Sequence, residues 1–172
     1  GATLVDAKYF YCITYTKLSG TTISNELICY DIESWTEVSR KAIPLTTIST
    51  DMTWNPADQK VYGAFYNTTK NGYVFGTLNL ETGAVNKLSD ITLQDDKGYP
   101  AGFVVIAANS IGEVYGISQM GDLYKFNTED GSYSLIGATG YTPLYQQSGC
   151  FDFTTKQLYW AACNENTSGI YQ

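Results

Sequence analysis

Short runs of alternating apolar and polar residues, each closed by a turn rich in glycine, proline or asparagine, fill this chain from end to end. In the second quarter, Asp51-Met-Thr-Trp54 alternates and stops at Asn55-Pro-Ala-Asp58, and Lys60 to Tyr66 follows and stops at Asn67 to Gly72. Tyr73 to Leu78 then runs to Asn79-Leu-Glu-Thr-Gly83, and Ala84 to Thr92 makes a fourth run. A period of two sends successive side chains to opposite faces of a strand. The Asn-Pro and Asn-Gly steps between runs carry the backbone geometry of tight turns. Four antiparallel strands are therefore predicted here. No window holds a helical period, so helix content near zero is expected.

The runs recur. Lys8-Tyr-Phe-Tyr-Cys-Ile13, Lys60-Val-Tyr-Gly-Ala-Phe65, Glu113-Val-Tyr-Gly-Ile-Ser118 and Gln157-Leu-Tyr-Trp-Ala-Ala162 align, and their aromatics at 10, 62, 115 and 159 are spaced 52, 53 and 44 residues apart. Downstream, Asp31-Ile-Glu-Ser-Trp35, Asn79-Leu-Glu-Thr-Gly83 and Asn127-Thr-Glu-Asp-Gly131 recur at spacings of 48 and 48. A period in this range means a solenoid, propeller or array, and four antiparallel strands per unit select the propeller. The predicted fold is an all-β propeller of about three and a half blades, spanning 2–49, 50–101, 102–149 and a partial 150–172. Trp35 stands where the other copies have glycine, and a bulky residue is strained at positive φ, so a different turn is expected there. The fourth copy aligns only as far as its third strand. The expectation is an ordered part of a longer propeller with its remaining blades in cis; self-association that shares blades is the alternative.

Composition removes several chemistries. The net charge is −7, which disfavours nucleic acid, since phosphate binding needs a basic face. No apolar run approaches the length of a membrane-spanning helix, and no signal-peptide pattern opens the chain. Histidine is absent, so Ser–His–Asp and Cys–His nucleophiles and histidine-ligated metals are excluded. The cysteines at 12, 29, 150 and 163 form two pairs, each flanking a turn. Either each pair opposes and bridges, or a one-residue offset leaves four buried thiols. Scarce lysine with abundant Tyr, Thr, Asn and Gly suggests a secreted or cell-surface bacterial domain.

Val114-Tyr-Gly-Ile-Ser118, Gly121-Asp-Leu-Tyr-Lys-Phe-Asn-Thr-Glu-Asp-Gly131 and Leu135-Ile-Gly-Ala-Thr-Gly140 resemble bacterial propeller repeats of the broad quinoprotein/YVTN-like grouping. That grouping includes uncharacterised surface proteins of Bacteroides-type bacteria. The resemblance covers nearly the whole chain but lies in strand aromatics and turn residues. It implies a propeller and an extracellular or cell-envelope setting, and transfers no active site and no cofactor.

Function is sought in the loops. In a propeller, the loops between blades and those between second and third strands share one face. The inter-blade loops read as Leu45–Asp51, Gln94–Gly102 and Gly140–Gly149. Tyr99, Tyr141 and Tyr145 form a candidate aromatic platform beside Gln146, Asp95 and Asp96; its rings suit sugars or extended peptides. The competing reading packs those tyrosines against the neighbouring blade. Asp95 and Asp96, with Asp51, offer oxygen ligands for Ca²⁺ or an acid/base pair, and both readings are disfavoured against solvated carboxylates. Asp152 reads as a blade-to-blade hydrogen-bonding residue; Trp54, Trp160, Phe151 and Phe153 read as inner-strand core; Asn67 and Asn166 read as turn residues. The expected function is a non-catalytic binding or adhesion module for a glycan or protein, with no cofactor and no metal. The alternatives are a carboxylate- or cofactor-dependent enzyme and a structural spacer.

Overall fold

The computed structural model describes residues 1–17, 23–44 and 47–172. Fifteen strands run in chain order: β1 Ala2–Val5, β2 Tyr9–Lys17, β3 Ile23–Asp31, β4 Thr36–Ala42, β5 Thr47–Asn55, β6 Lys60–Asn67, β7 Gly72–Leu78 and β8 Val85–Ile91; then β9 Phe103–Ala108, β10 Val114–Ser118, β11 Asp122–Phe126, β12 Tyr133–Ala138, β13 Ser148–Asp152, β14 Gln157–Cys163 and β15 Ser168–Tyr171. They form three four-stranded antiparallel meanders and one three-stranded one, arranged as the four blades of a β-propeller. No helix occurs among the described residues. The innermost strands β1, β5, β9 and β13 follow one another, each against the next.

Each seam between blades holds its own apolar cluster. Val5, Leu27 and Ile43 of the first blade meet Met52, Val61 and Phe65 of the second. Between the second and third, Tyr62 and Phe75 meet Phe103 and Phe126. Between the third and fourth, Val104, Val105 and Ile117 meet Trp160 and Ala162. The glycine of the repeated Tyr-Gly step has a steric reason. A Cβ on Gly116 would lie 2.7 Å from the Phe103 ring and 2.9 Å from the Phe126 ring. The repeat is thus partly a record of where rings cross a second strand.

Polar side chains lace the inner strands. Thr3 Oγ1 accepts from Trp54 N at 2.7 Å, Thr53 Oγ1 from Ala108 N at 3.1 Å, and Asp51 Oδ2 from Ile106 N at 2.9 Å. Ser148 Oγ donates to Asp51 Oδ1 at 3.3 Å, so Asp51 ties the second, third and fourth blades. Asp51 lies within β5 and is 1% exposed, not in an inter-blade loop as its sequence position suggested. The blade-to-blade role expected of Asp152 belongs to Asp51 instead. Asp152 caps its own turn, accepting from Thr154 N and Thr155 Oγ1 at 2.8 Å each.

The turn at Trp35 also corrects the sequence reading. Trp35 adopts φ 52°, in the same left-handed region as Gly83 at 73° and Gly131 at 74°. The turn is kept because its other determinants are kept. Asp31 Oδ1 accepts from Glu33 N and Ser34 N, as Asn79 Oδ1 does from Glu81 N and Thr82 N. The indole is 67% exposed, and its ring contact is with Phe10, at 6.3 Å between centroids. Relief of left-handed strain should therefore outweigh that contact. Trp35→Asn is expected to raise stability by about 0.5–1 kcal/mol in chemical denaturation, since asparagine tolerates this region. A loss of stability would mean that the ring contact dominates.

The cysteines are free thiols, but only Cys29 is buried; Cys12 and Cys163 are half-buried and Cys150 is exposed. Tyr11 faces Cys29 while Cys12 faces Ile28, the one-residue offset that sends the two sulfurs to opposite faces. Cys150 pairs with Tyr159 and Cys163 with Ser168, so the second pair is not opposed either. The turn expected between Cys12 and Cys29 lies outside the described residues. Trp54 and Phe151 pack on the seams as expected; Trp160 does so from β14, a second strand, and Phe153 is 48% exposed beyond β13. Asn67 and Asn164 cap turns, with Asn166 N donating to Asn164 Oδ1.

Candidate functional site

Three loops converge on one face: 92–102 between β8 and β9, 119–121 between β10 and β11, and 139–147 between β12 and β13. Backbone geometry locks each of them. Asp95 Oδ1 accepts from Lys97 N at 2.9 Å and Tyr99 N at 2.8 Å, and Ala101 N donates to Leu93 O, closing the first loop on itself. Ser118 Oγ accepts from Met120 N and Asp122 N to hold the second. Gln119 N donates to Gly102 O while Gln119 Oε1 accepts from Gly102 N, bolting the second loop to the first.

The third loop is pinned at both ends. Thr139 N and Oγ1 both donate to Gly121 O. Gly121 permits that approach: at φ 87° a Cβ there would sit 2.0 Å from Tyr141 O. At the far end, the buried Gln147 side chain donates to Leu144 O and Cys163 O, and Leu144 N donates to Cys163 O. Between these anchors Tyr145 is held at φ 67° with 76% of its surface exposed. An aromatic residue in the left-handed region persists only where its surroundings impose it.

The three loops enclose a groove of 550 Å³. Asp95, Asp96, Tyr145 and Gln146 line it, so four of the six residues singled out from sequence meet there. The other two do not. Tyr141 packs edge-on against Trp160 at 5.2 Å and against Tyr171 at 4.9 Å, and its hydroxyl donates to Thr167 O. It lines a separate cleft between the third and fourth blades. Tyr99 is 66% exposed on its own loop and lies outside the groove lining. Asp51 is absent from the lining as well; it faces the inner strands, where burial pushes its carboxyl up to about 7. Among the described residues no three His, Cys, Asp or Glu side chains are grouped to hold a metal ion.

Sequence reasoning missed Met120, Gln119 and Leu144, which complete the groove walls. The first two stand in a second-to-third-strand turn, a loop class already expected on this face. Their signal was position, and it was outweighed by residue type.

No protein-family model matches the chain, and no curated protein matches it. Solved structures do. A Bacteroides thetaiotaomicron protein of unknown function is similar over 94% of this chain and 41% of its own, at 16% identity and TM-score 0.58. A puromycin hydrolase is similar over 99% of this chain and 26% of its own, at 14% identity and TM-score 0.59. TolB from Acinetobacter baumannii is similar over 98% and 39%, at 12% identity and TM-score 0.55. The chain spans less than half the length of each. At these identities the likeness is one of fold: the chain is a β-propeller similar to a Bacteroides propeller protein of unknown function.

Proposed function

We propose that this chain is a non-catalytic binding module of a secreted or cell-surface bacterial protein, taking a glycan or protein ligand in the inter-blade groove. The observation that carries this is the preassembled groove itself. Three loops, cross-bonded to one another and to the strands beneath, hold Asp95, Asp96, Tyr145 and Gln146 around one cavity. Loops on a rigid scaffold carry recognition, and a site ordered before binding loses little entropy when occupied. Tyr145 adds a large amphipathic surface with few rotatable bonds. The non-catalytic reading is supported by the absence of histidine and by the commitment of Asp95 Oδ1 to its own turn, which ties half of the neighbouring carboxylate pair to structure. The secreted or surface setting is drawn from composition.

Two tyrosine substitutions separate site from scaffold. Tyr145→Ala is expected to leave stability within about 0.5 kcal/mol, as exposed positions do, while removing binding on glycan and peptide arrays. Tyr141→Ala is expected to cost about 2–3 kcal/mol in thermal or urea unfolding, because its ring fills the third seam. Array binding that survives Tyr145→Ala combined with Gln146→Ala would refute the groove as the site.

A further inference from the structure

The groove walls differ in kind. Met120 and Leu144 supply apolar surface, Tyr145 an exposed ring, and Asp95 and Asp96 the charged side chains; among the described residues no lysine or arginine lines the cavity. Asp96 accepts no hydrogen bond from the rest of the described molecule, and Asp95 keeps Oδ2 free while Oδ1 holds the loop. We infer that this groove recognises a basic peptide segment, seating a lysine or arginine side chain whose aliphatic stem lies on Met120, Leu144 and the Tyr145 ring and whose cation meets Asp95 and Asp96. The inference rests on the groove reading above and narrows its ligand.

The chemistry follows from the side chain it would take. Lysine and arginine bury an apolar stem while keeping the charged head at a polar boundary, so they fit a cavity with one apolar and one anionic wall. A cation near an exposed tyrosine face gains a further electrostatic attraction. The volume of 550 Å³ leaves room for flanking backbone, to which the Gln146 amide and Thr142 hydroxyl are available. At long range, the chain's charge of −7 draws cationic segments and repels phosphorylated or acidic ones. A neutral glycan would use the ring and the amide but leave both carboxylates unused.

The test is fluorescence anisotropy with a labelled peptide, Gly-Ala-Lys-Arg-Ala-Gly, beside its Glu-Glu counterpart and a labelled neutral oligosaccharide, each at low and high salt. The basic peptide is expected to bind, the acidic one not, and binding should weaken as salt rises. Asp96→Asn should weaken it about threefold to tenfold and Tyr145→Ala about tenfold, with melting temperatures unchanged. Suppose instead that the oligosaccharide binds, indifferent to salt and to Asp96→Asn but lost in Tyr145→Ala. The basic-peptide assignment then falls while the groove stands. If basic-peptide binding is untouched by both substitutions, or if none of the probes binds, the inference falls together with the groove reading.

Discussion

Phe126→Ala is expected to destabilise the chain by about 3–5 kcal/mol, enough to unfold a domain of ordinary stability. Phe126 ends β11 and is 3% exposed. Its ring stacks on Phe75 of the second blade at 4.1 Å, meets Phe103 at 4.9 Å and Tyr133 at 5.6 Å. Removing it leaves a cavity where four rings met, and the strands cannot collapse into it because β7 and β9 are fixed in separate sheets. Hydrogen bonds such as Ser89 Oγ to Gly131 O and Thr92 N to Tyr133 Oη, with the remaining apolar contacts of Tyr62, Ile91, Phe103 and Ile106, would still join the two blades. Urea unfolding measures the loss, and Phe126→Leu should recover most of it. A cost below about 1 kcal/mol would show that the seam is not the source of cohesion. Phe75→Ala combined with Phe126→Ala should cost less than the sum of the two, since each ring loses the other as partner.

That seam explains why the architecture could be read from sequence. The repeated Tyr-Gly step, the turn Asx residues and the alternating runs are each required by local sterics or hydrogen bonding, so they recur wherever a blade recurs. Gly116 is glycine because two rings press on it; Asn79 and Asp31 are Asx because two backbone donors need an acceptor. Trp35 escaped the same logic because the turn is over-determined by Asp31, and one strained residue does not undo it.

The candidate groove was legible only where residue type and loop membership agreed. Asp95, Asp96, Tyr145 and Gln146 stand on loops that end at one face, and the face follows from topology. Tyr141 is in the same loop as Tyr145, but which way each ring turns is decided by the Gly121 contact and the Gln147 anchor, neither of which has a local sequence signature. Asp51 failed for a similar reason. It looked like a loop carboxylate because β5 begins earlier than its pattern suggested, and its partners Ile106 and Ser148 are distant in the chain.

Asp51 carries the second large expectation: stability should fall as pH rises from about 5 to 8, by about 2–3 kcal/mol. Burial is the main cause of the raised folded pKa, about 7 against an ordinary 3.8. The folded chain therefore holds the Asp51 proton more tightly than the unfolded chain. Its favourable contribution is complete below the unfolded value and is lost as pH climbs through the folded one. The amino group of Gly1 lies close by and is lowered chiefly by its own burial, which opposes the trend near the top of the window. Half-buried Glu113, lowered to about 2 beside Lys125, acts below this window and in the opposite direction. Asp51→Asn isolates the effect. Its amide oxygen still accepts from Ile106 N, but the group no longer titrates, so the difference in unfolding free energy between the two proteins should change with pH. Near pH 8 Asp51→Asn should equal or exceed the parent in stability, whereas Asp51→Ala should fall below Asp51→Asn by about 1–3 kcal/mol because Ile106 N loses its acceptor. A parent and Asp51→Asn pair whose stabilities run parallel from pH 5 to 8 would show that Asp51 is ionised throughout, held by its donors against the cost of burial.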